Sequence, residues 1–193
     1  MTQDSRKSGN FTAGVGRQYM VEIGKIDNGV VVVTTDLYDG QKSLPLDLEL
    51  YQHASSLPQG NKDPEFKKKP ELALGLIDRS LLRGYRPGYV VIDAGYGNNT
   101  TFLHKLEKRK LKYLGGLAKN RQVISQTSAN NREEIPLDKL ASVLPGSAFI
   151  PVNLNLNQSK TVWVATVEVE LSQLEGTRTI AIVNQASTFD QEA

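Results

Sequence analysis

The sequence predicts a mixed α/β core followed by a smaller all-β block. Three observations lead there. Val30–Val33 is an unbroken β-branched run, and Leu44, Leu46, Leu48 and Leu50 alternate with Ser43, Pro45, Asp47 and Glu49, so the N-terminal quarter reads as strands. Between residues 70 and 109, two helical patterns enclose the short apolar strand Tyr89–Ile92, the pattern of an α/β crossover. Beyond residue 121, Thr161–Leu171 alternates with period two and is joined to Arg178–Asn184 by the short connection Ser172–Thr177, a hairpin signature. The division falls between 1–121 and 122–193.

Taken in order, residues 1–16 are polar, with Gly9, Gly14 and Gly16, and read as a loop or frayed end. Gln18–Ile23 is expected to pair with Val30–Tyr38 through a turn at Asp27-Asn28-Gly29, because Asn-Gly tolerates the positive φ of a type I′ turn. The valine run suits a mid-sheet strand buried on both faces. Asp39-Gly40 turns the chain into Lys42–Tyr51, a half-buried strand in which Pro45 implies an edge position or an irregular start. Residues 54–64 form a surface loop. A helix follows from Pro64 or Pro70, with Leu74, Ile77 and Leu81 on one face and Gly84 as its C′ residue. The strand Tyr89–Ile92 ends at Asp93, and Ala94–Asn98 is a tight loop. Asn99 or Thr100 caps a helix reaching about Arg109, with Phe102, Leu103 and Leu106 inward. Tyr113–Leu117 returns as a strand parallel to Tyr89–Ile92 in the same sheet as the earlier strands. In the second block, Ser125–Arg132 is a polar loop, Ile135–Leu144 a short helix or turn, and Trp163 a core residue.

Composition removes several functions. The 193 residues include no cysteine, which excludes disulfides, thiolate metal sites and a cysteine nucleophile. The only histidines, His53 and His104, lie far apart in sequence, so a multi-histidine metal site is out. The longest mostly apolar run, Leu72–Ile77, is far short of the roughly 20 residues of a membrane span. No secretory leader opens the sequence, and the expectation is a soluble, cytoplasmic protein without a membrane partner. The net charge of +2 divides unevenly, +6 over residues 1–121 and −4 beyond. Seven basic residues against Glu107 between Lys105 and Arg121 suggest a path for a polyanion, though a solvated surface explains the same excess.

Asp93 is the position where chemistry is expected. It follows an apolar strand and precedes Gly95 and Gly97, at the place where α/β sheets hold ligands. A carboxylate fixed there suits a hard cation. The competing reading is a turn or helix-capping aspartate. His53, His104 and Lys67-Lys68-Lys69 read as solvated surface.

Val15-Gly16-Arg17-Gln18-Tyr19, Gly24-Lys25-Ile26, Asn28-Gly29 and Ile92-Asp93-Ala94-Gly95-Tyr96-Gly97-Asn98, with Lys119-Asn120-Arg121 after the fifth strand, resemble the insertion-sequence DDE transposases. The order and spacing of these blocks carry the resemblance across nearly the whole chain. It implies an incomplete ribonuclease-H-like mixed sheet with flanking helices and a small all-β insertion region. It also implies Mg²⁺ or Mn²⁺ held by three carboxylates, and DNA (transposon ends) as partner. Asp93 matches the second carboxylate, as catalytic and metal residue. Arg17, Lys105, Lys108, Arg109, Lys119 and Arg121 are the expected DNA contacts. The first carboxylate would fall at Met1 or Thr2, with Asp4 out of register, and Glu192 is not assigned as the third. The expectation is therefore a piece truncated at both ends, its first strand missing, with an unpaired edge at Arg17–Ile23 or Val30–Val33 and without activity alone. A non-catalytic DNA-binding module and an inert gene remnant stay open, as does an assembly of several copies.

Overall fold

The computed structural model describes residues 2–9, 11–20, 22–125, 133–155 and 159–185. It is a mixed α/β structure with several sheets, in two compact units, Met1–Gly116 and Leu117–Ala193.

The first unit is built on β3 (Lys25–Tyr38). On one edge of β3 lies β1 (Thr2–Arg6), in antiparallel register from Thr2 opposite Val33 to Arg6 opposite Gly29. The other edge takes β2 (Gly16–Met20) and β4 (Ser43–Tyr51), both antiparallel. A strand therefore stands where the sequence suggested a loop. Val31–Val33 has partners on both edges, so the expected unpaired edge does not occur there. β3 is central, as its composition indicated, yet only one of its faces is fully buried. Val31 and Val33 are buried; Val30 and Val32 are half-exposed.

Asp27-Asn28-Gly29 does not turn. It lies inside β3, and the chain reverses at residues 22–24, where Gly24 takes φ +64°. The Asn28 amide instead donates to the carbonyls of Lys7 (3.1 Å) and Gly9 (3.0 Å), tying down the segment after β1. Gly29 is needed for packing, because a Cβ there would press on Met20 and the Ser5 carbonyl.

The leucine row of β4 is only partly covered, with Leu46 and Leu50 half-buried. Asp47 and Glu49 turn toward α1 (Lys69–Leu82), where Arg79 bonds both at 2.7 Å, and Leu44 and Leu48 stay exposed. Pro45 pairs opposite Asp36 beside a bulge, on the strand that borders only β3. α1 starts with Pro70 in its first turn, the Glu71 carboxylate accepts the Lys68 amide at 2.7 Å, and Gly84 ends it at φ +91°. It buries Leu72, Ala73, Leu74 and Leu76, with Ile77 and Leu81 at the margin.

β5 (Val90–Ile92) and β6 (Tyr113–Gly115) pair in parallel, as expected of a crossover, but they form a separate two-stranded sheet. Among the described residues no third strand joins them, and Val91 and Leu114, register partners, are both exposed. Between them lie the one-turn helix α2 (Ala94–Gly97), where a loop was expected, and α3 (Thr100–Lys108), capped by Asn99 and burying Phe102, Leu103 and Leu106.

The second unit centres on β10 (Ser159–Glu170). It pairs along one edge with β11 (Thr177–Asn184), the expected hairpin. Its other edge takes β9 (Ile150–Asn155) and β7 (Gln122–Ser125), which in turn pairs with β8 (Glu133–Pro136). β7, β8 and β9 are too short to show a clear period in the sequence. α4 (Leu137–Ser142) packs Leu137 and Leu140 into a core with Val123, Val162, Ala165 and Val169. Trp163 is half-buried rather than enclosed. Residues 126–132 of the expected polar loop, and the tail with Glu192, lie outside the described residues.

Candidate functional site

Asp93 stands one residue beyond β5, in extended backbone (φ −78°, ψ 176°), where its carboxylate caps α2 by accepting the Tyr96 amide at Oδ1 (3.2 Å). Its own carbonyl accepts the Gly97 amide at 2.8 Å. The capping reading is thus realised. It does not consume the side chain: one oxygen receives one amide, and the residue remains exposed at the C-terminal end of a parallel pair.

Glycines fix this turn. A Cβ on Gly97 would run into the Gly116 carbonyl oxygen, and one on Gly116 would press on Ala94 at 3.2–3.4 Å. The Gly116 amide donates to the Ile92 carbonyl at 3.4 Å, extending the parallel ladder to the residue before Asp93. Backbone thus packs on backbone between α2 and the end of β6, a closeness that only residues lacking a side chain allow. A Cβ on Gly95 would come within 3.0 Å of Asp93 Oδ1, so Gly95 keeps the flank of the carboxylate open. The paired Gly115-Gly116 at a strand end is the signal in the sequence for this seam, beyond the Gly95 and Gly97 that mark the turn itself. Below the turn, Tyr96 is buried with its ring 5.2 Å from that of Phe102, anchoring α2 on α3.

Among the described residues, no other acid joins Asp93 in a metal-holding group. Asp4 lies in β1 opposite Val31, which pairs in turn with Tyr51, so the three share the face toward α1. The Lys69 ammonium sits 5.0 Å over the Tyr51 ring; burial lowers its pKa and the charge of Asp4 opposes that shift. Lys69 is therefore not part of a solvated run. Among the described residues, no group of three or more His, Cys, Asp or Glu side chains could hold a metal ion. His53 caps a single 3₁₀ turn and bonds Ser55, and His104 is exposed.

The expected DNA contacts divide by environment. Arg17 on β2 and Lys108 on α3 are exposed, and Lys105 is half-exposed. Arg109 is committed inward, its guanidinium gripping Asp78 of α1 at 2.6 and 2.7 Å and the Lys105 carbonyl at 2.7 Å. In the second unit, Lys119 is exposed and Arg121 half-exposed, and their carbonyls accept the amides of Asp138 and Leu137 at the start of α4. Among the described residues, no helix is long and apolar enough to cross a membrane.

A sequence model of the family described as "DDE superfamily endonuclease" matches residues 1–134. The chain is 33% identical over 119 residues to a Microchaete diplosiphon protein named "Probable transposase for insertion sequence element IS701". The matched stretch is 61% of this chain and 30% of that relative, so the chain spans under a third of the relative's length. No solved structure matches the chain.

Proposed function

The chain belongs to the DDE superfamily endonucleases and is related to the insertion-sequence transposases; from that premise we propose that it carries part of a transposase catalytic domain of ribonuclease-H-like ancestry, with DNA as its partner. In this reading 1–121 is the core portion and 122–193 the β-rich insertion. The observation that carries it is the position of Asp93: a carboxylate at the mouth of a parallel strand pair, held by a glycine seam and open to solvent.

Nucleases of this family work with divalent metal ions, which activate the attacking oxygen and stabilise the leaving one. Asp93 has the right donor chemistry, a hard anionic oxygen. The number of donors does not fit, because no further acids join it in a metal-holding group among the described residues. No step is therefore routed through a metal. We assign Asp93 the role of one ligand of such a site, and the chain alone the status of a DNA-binding unit without strand-transfer activity. Exposed Arg17, Lys108 and Lys119 and the partly exposed Lys105 and Arg121 would contact phosphates, which fix position without reading sequence.

The test is strand nicking of duplex DNA by the purified chain with Mg²⁺ or Mn²⁺, alongside Asp93→Asn. Expected are salt-dependent binding and no metal-dependent nicking. Robust nicking that Asp93→Asn abolishes would overturn the inactivity, and absence of DNA binding at low salt would favour an inert remnant.

A further inference from the structure

A shallow cleft where the end of β1 and the segment after it run beside β3 is lined by Arg6, Lys7, Ser8, Asp27 and Asn28, none of them assigned a functional role above. Its architecture is set by Asn28. With its side-chain amide spent on the Lys7 and Gly9 carbonyls and its backbone carbonyl receiving the Lys7 amide at 3.0 Å, it holds the stretch after β1 against β3. The Lys7 and Ser8 side chains are left exposed at the rim.

Charge is concentrated there. Asp27 accepts Arg6 at 2.9 Å, and that arginine remains two-thirds exposed. The Asn28 backbone amide, donating to Asp27 Oδ1 at 2.8 Å and reinforced by the charges of Arg6, Lys25 and Arg17, holds the Asp27 carboxyl below its usual range. The Asp27 carboxylate thus feels the charges of Arg6, Lys25 and Arg17, and Lys7 lines the same cleft. Lys7, Arg17 and Lys25 are exposed and have no ion pair among the described residues. Three cations acting on one anion, with Lys7 and a serine hydroxyl on the same cleft, form a surface matched to a chain of phosphodiesters.

We propose that the Arg6–Lys7–Ser8 rim, with Lys25, is a contact surface for the sugar-phosphate backbone of DNA, and that Asp27 restrains it by holding Arg6. The inference rests on the DNA-partner reading but not on catalysis. It concerns residues far in sequence from Asp93 and from the basic stretch 105–121. Binding here is expected to be electrostatic rather than sequence-reading, because the Asn28 side chain is spent on the Lys7 and Gly9 carbonyls and Arg6 is held by Asp27, which leaves lysine charges and a hydroxyl.

The experiment is fluorescence anisotropy of the full chain with a dye-labelled DNA duplex in EDTA, over a range of salt concentrations. The double variant Lys7→Ala, Lys25→Ala is expected to bind several-fold more weakly. It should also flatten the slope of log affinity against log salt by about one to two units, one for each phosphate that is no longer neutralised. Asp27→Asn is expected to bind more tightly than the parent, an outcome that loss of folding cannot mimic. Lys62→Ala with Lys139→Ala, exposed cations elsewhere, should match the parent. The proposal is overturned if Lys7→Ala, Lys25→Ala keeps the parent's slope, if Asp27→Asn weakens binding, if the parent does not bind duplex at low salt, or if polyglutamate rather than DNA shows the lysine dependence. Because EDTA removes any metal chemistry, failure here leaves the assignment of Asp93 standing, and a failed nicking assay does not touch this surface.

Discussion

Arg109 and Asp78 form a two-bond fork, Nε to Oδ1 at 2.6 Å and Nη2 to Oδ2 at 2.7 Å, across the junction of α3 and α1. The same guanidinium closes the end of α3 by donating to the Lys105 carbonyl. A charge that in sequence belongs to the basic run from Lys105 to Arg121 is in the structure a brace between helices. Arg109→Ala is expected to destabilise the first unit by about 1–2 kcal/mol, between an exposed pair and a fully desolvated one. Arg109→Lys should recover only part of this, because an ammonium cannot reproduce the fork. Urea denaturation of the variants, with Asp78→Ala to complete a double-mutant cycle, measures the coupling. Zero coupling would contradict the brace.

Acid should loosen the same unit. The Arg109 hydrogen bond is the main cause of the lowered Asp78 pKa, and the Arg79 hydrogen bond that of the lowered Asp47 pKa. A carboxyl with its folded pKa depressed binds fewer protons when folded. Its contribution is present above the unfolded value of about 3.9 and is lost as pH falls through the folded one. The urea midpoint is expected to hold from about pH 7 to 5 and to drop below about pH 4. Asp47→Asn and Asp78→Asn should each lower the midpoint at neutral pH and shrink the acid drop. An unchanged acid drop in the double variant would refute the assignment.

What the sequence could reveal here depended on the range of the forces involved. Local signals were legible: Asn99 as the cap of α3, Phe102, Leu103 and Leu106 as its buried stripe, Gly84 ending α1, and the β10–β11 hairpin all follow from neighbours a few residues apart. The misreadings involve partners distant in the chain. Asn28-Gly29 has the chemistry of a turn, yet the backbone of residues 7–9 and the packing of Met20 claim it for a strand. Leu44 and Leu48 of β4 should be covered by hydropathy, yet they stay exposed while Arg79, some 30 residues away, bonds Asp47 and Glu49. Thr2–Arg6 carries no apolar alternation, and only pairing with β3 makes it a strand. At the candidate site, Asp93 was legible from its strand-and-glycine context, whereas the contact of Gly97 with Gly116 needed the fold.

Two glycines should respond to alanine with opposite signs. Gly75 lies within α1 with open space where its Cβ would stand, so Gly75→Ala should stabilise by about 0.5–1 kcal/mol through helix propensity. Gly97 faces the Gly116 carbonyl, and Gly97→Ala must force α2 and β6 apart, at a cost of about 1–3 kcal/mol. Thermal melts followed by circular dichroism test both. A neutral Gly97→Ala would mean that the seam is not close-packed in solution.

Asp93 performs two tasks that substitution can separate. As the cap of α2 it needs only an oxygen acceptor for the Tyr96 amide, which asparagine supplies and alanine does not. Asp93→Asn should therefore melt within a few tenths of a kcal/mol of the parent, and Asp93→Ala about 1 kcal/mol lower. A cation ligand needs the negative charge as well, which both variants remove. If Mn²⁺ broadens proton resonances near Tyr96 and Gly97 in the parent, that broadening should vanish in both variants, although only one of them loses the cap. Equal stability loss in the two would show that charge, rather than an acceptor atom, holds the turn. Broadening that survived in Asp93→Asn would remove the carboxylate from any cation site and leave it a capping residue alone.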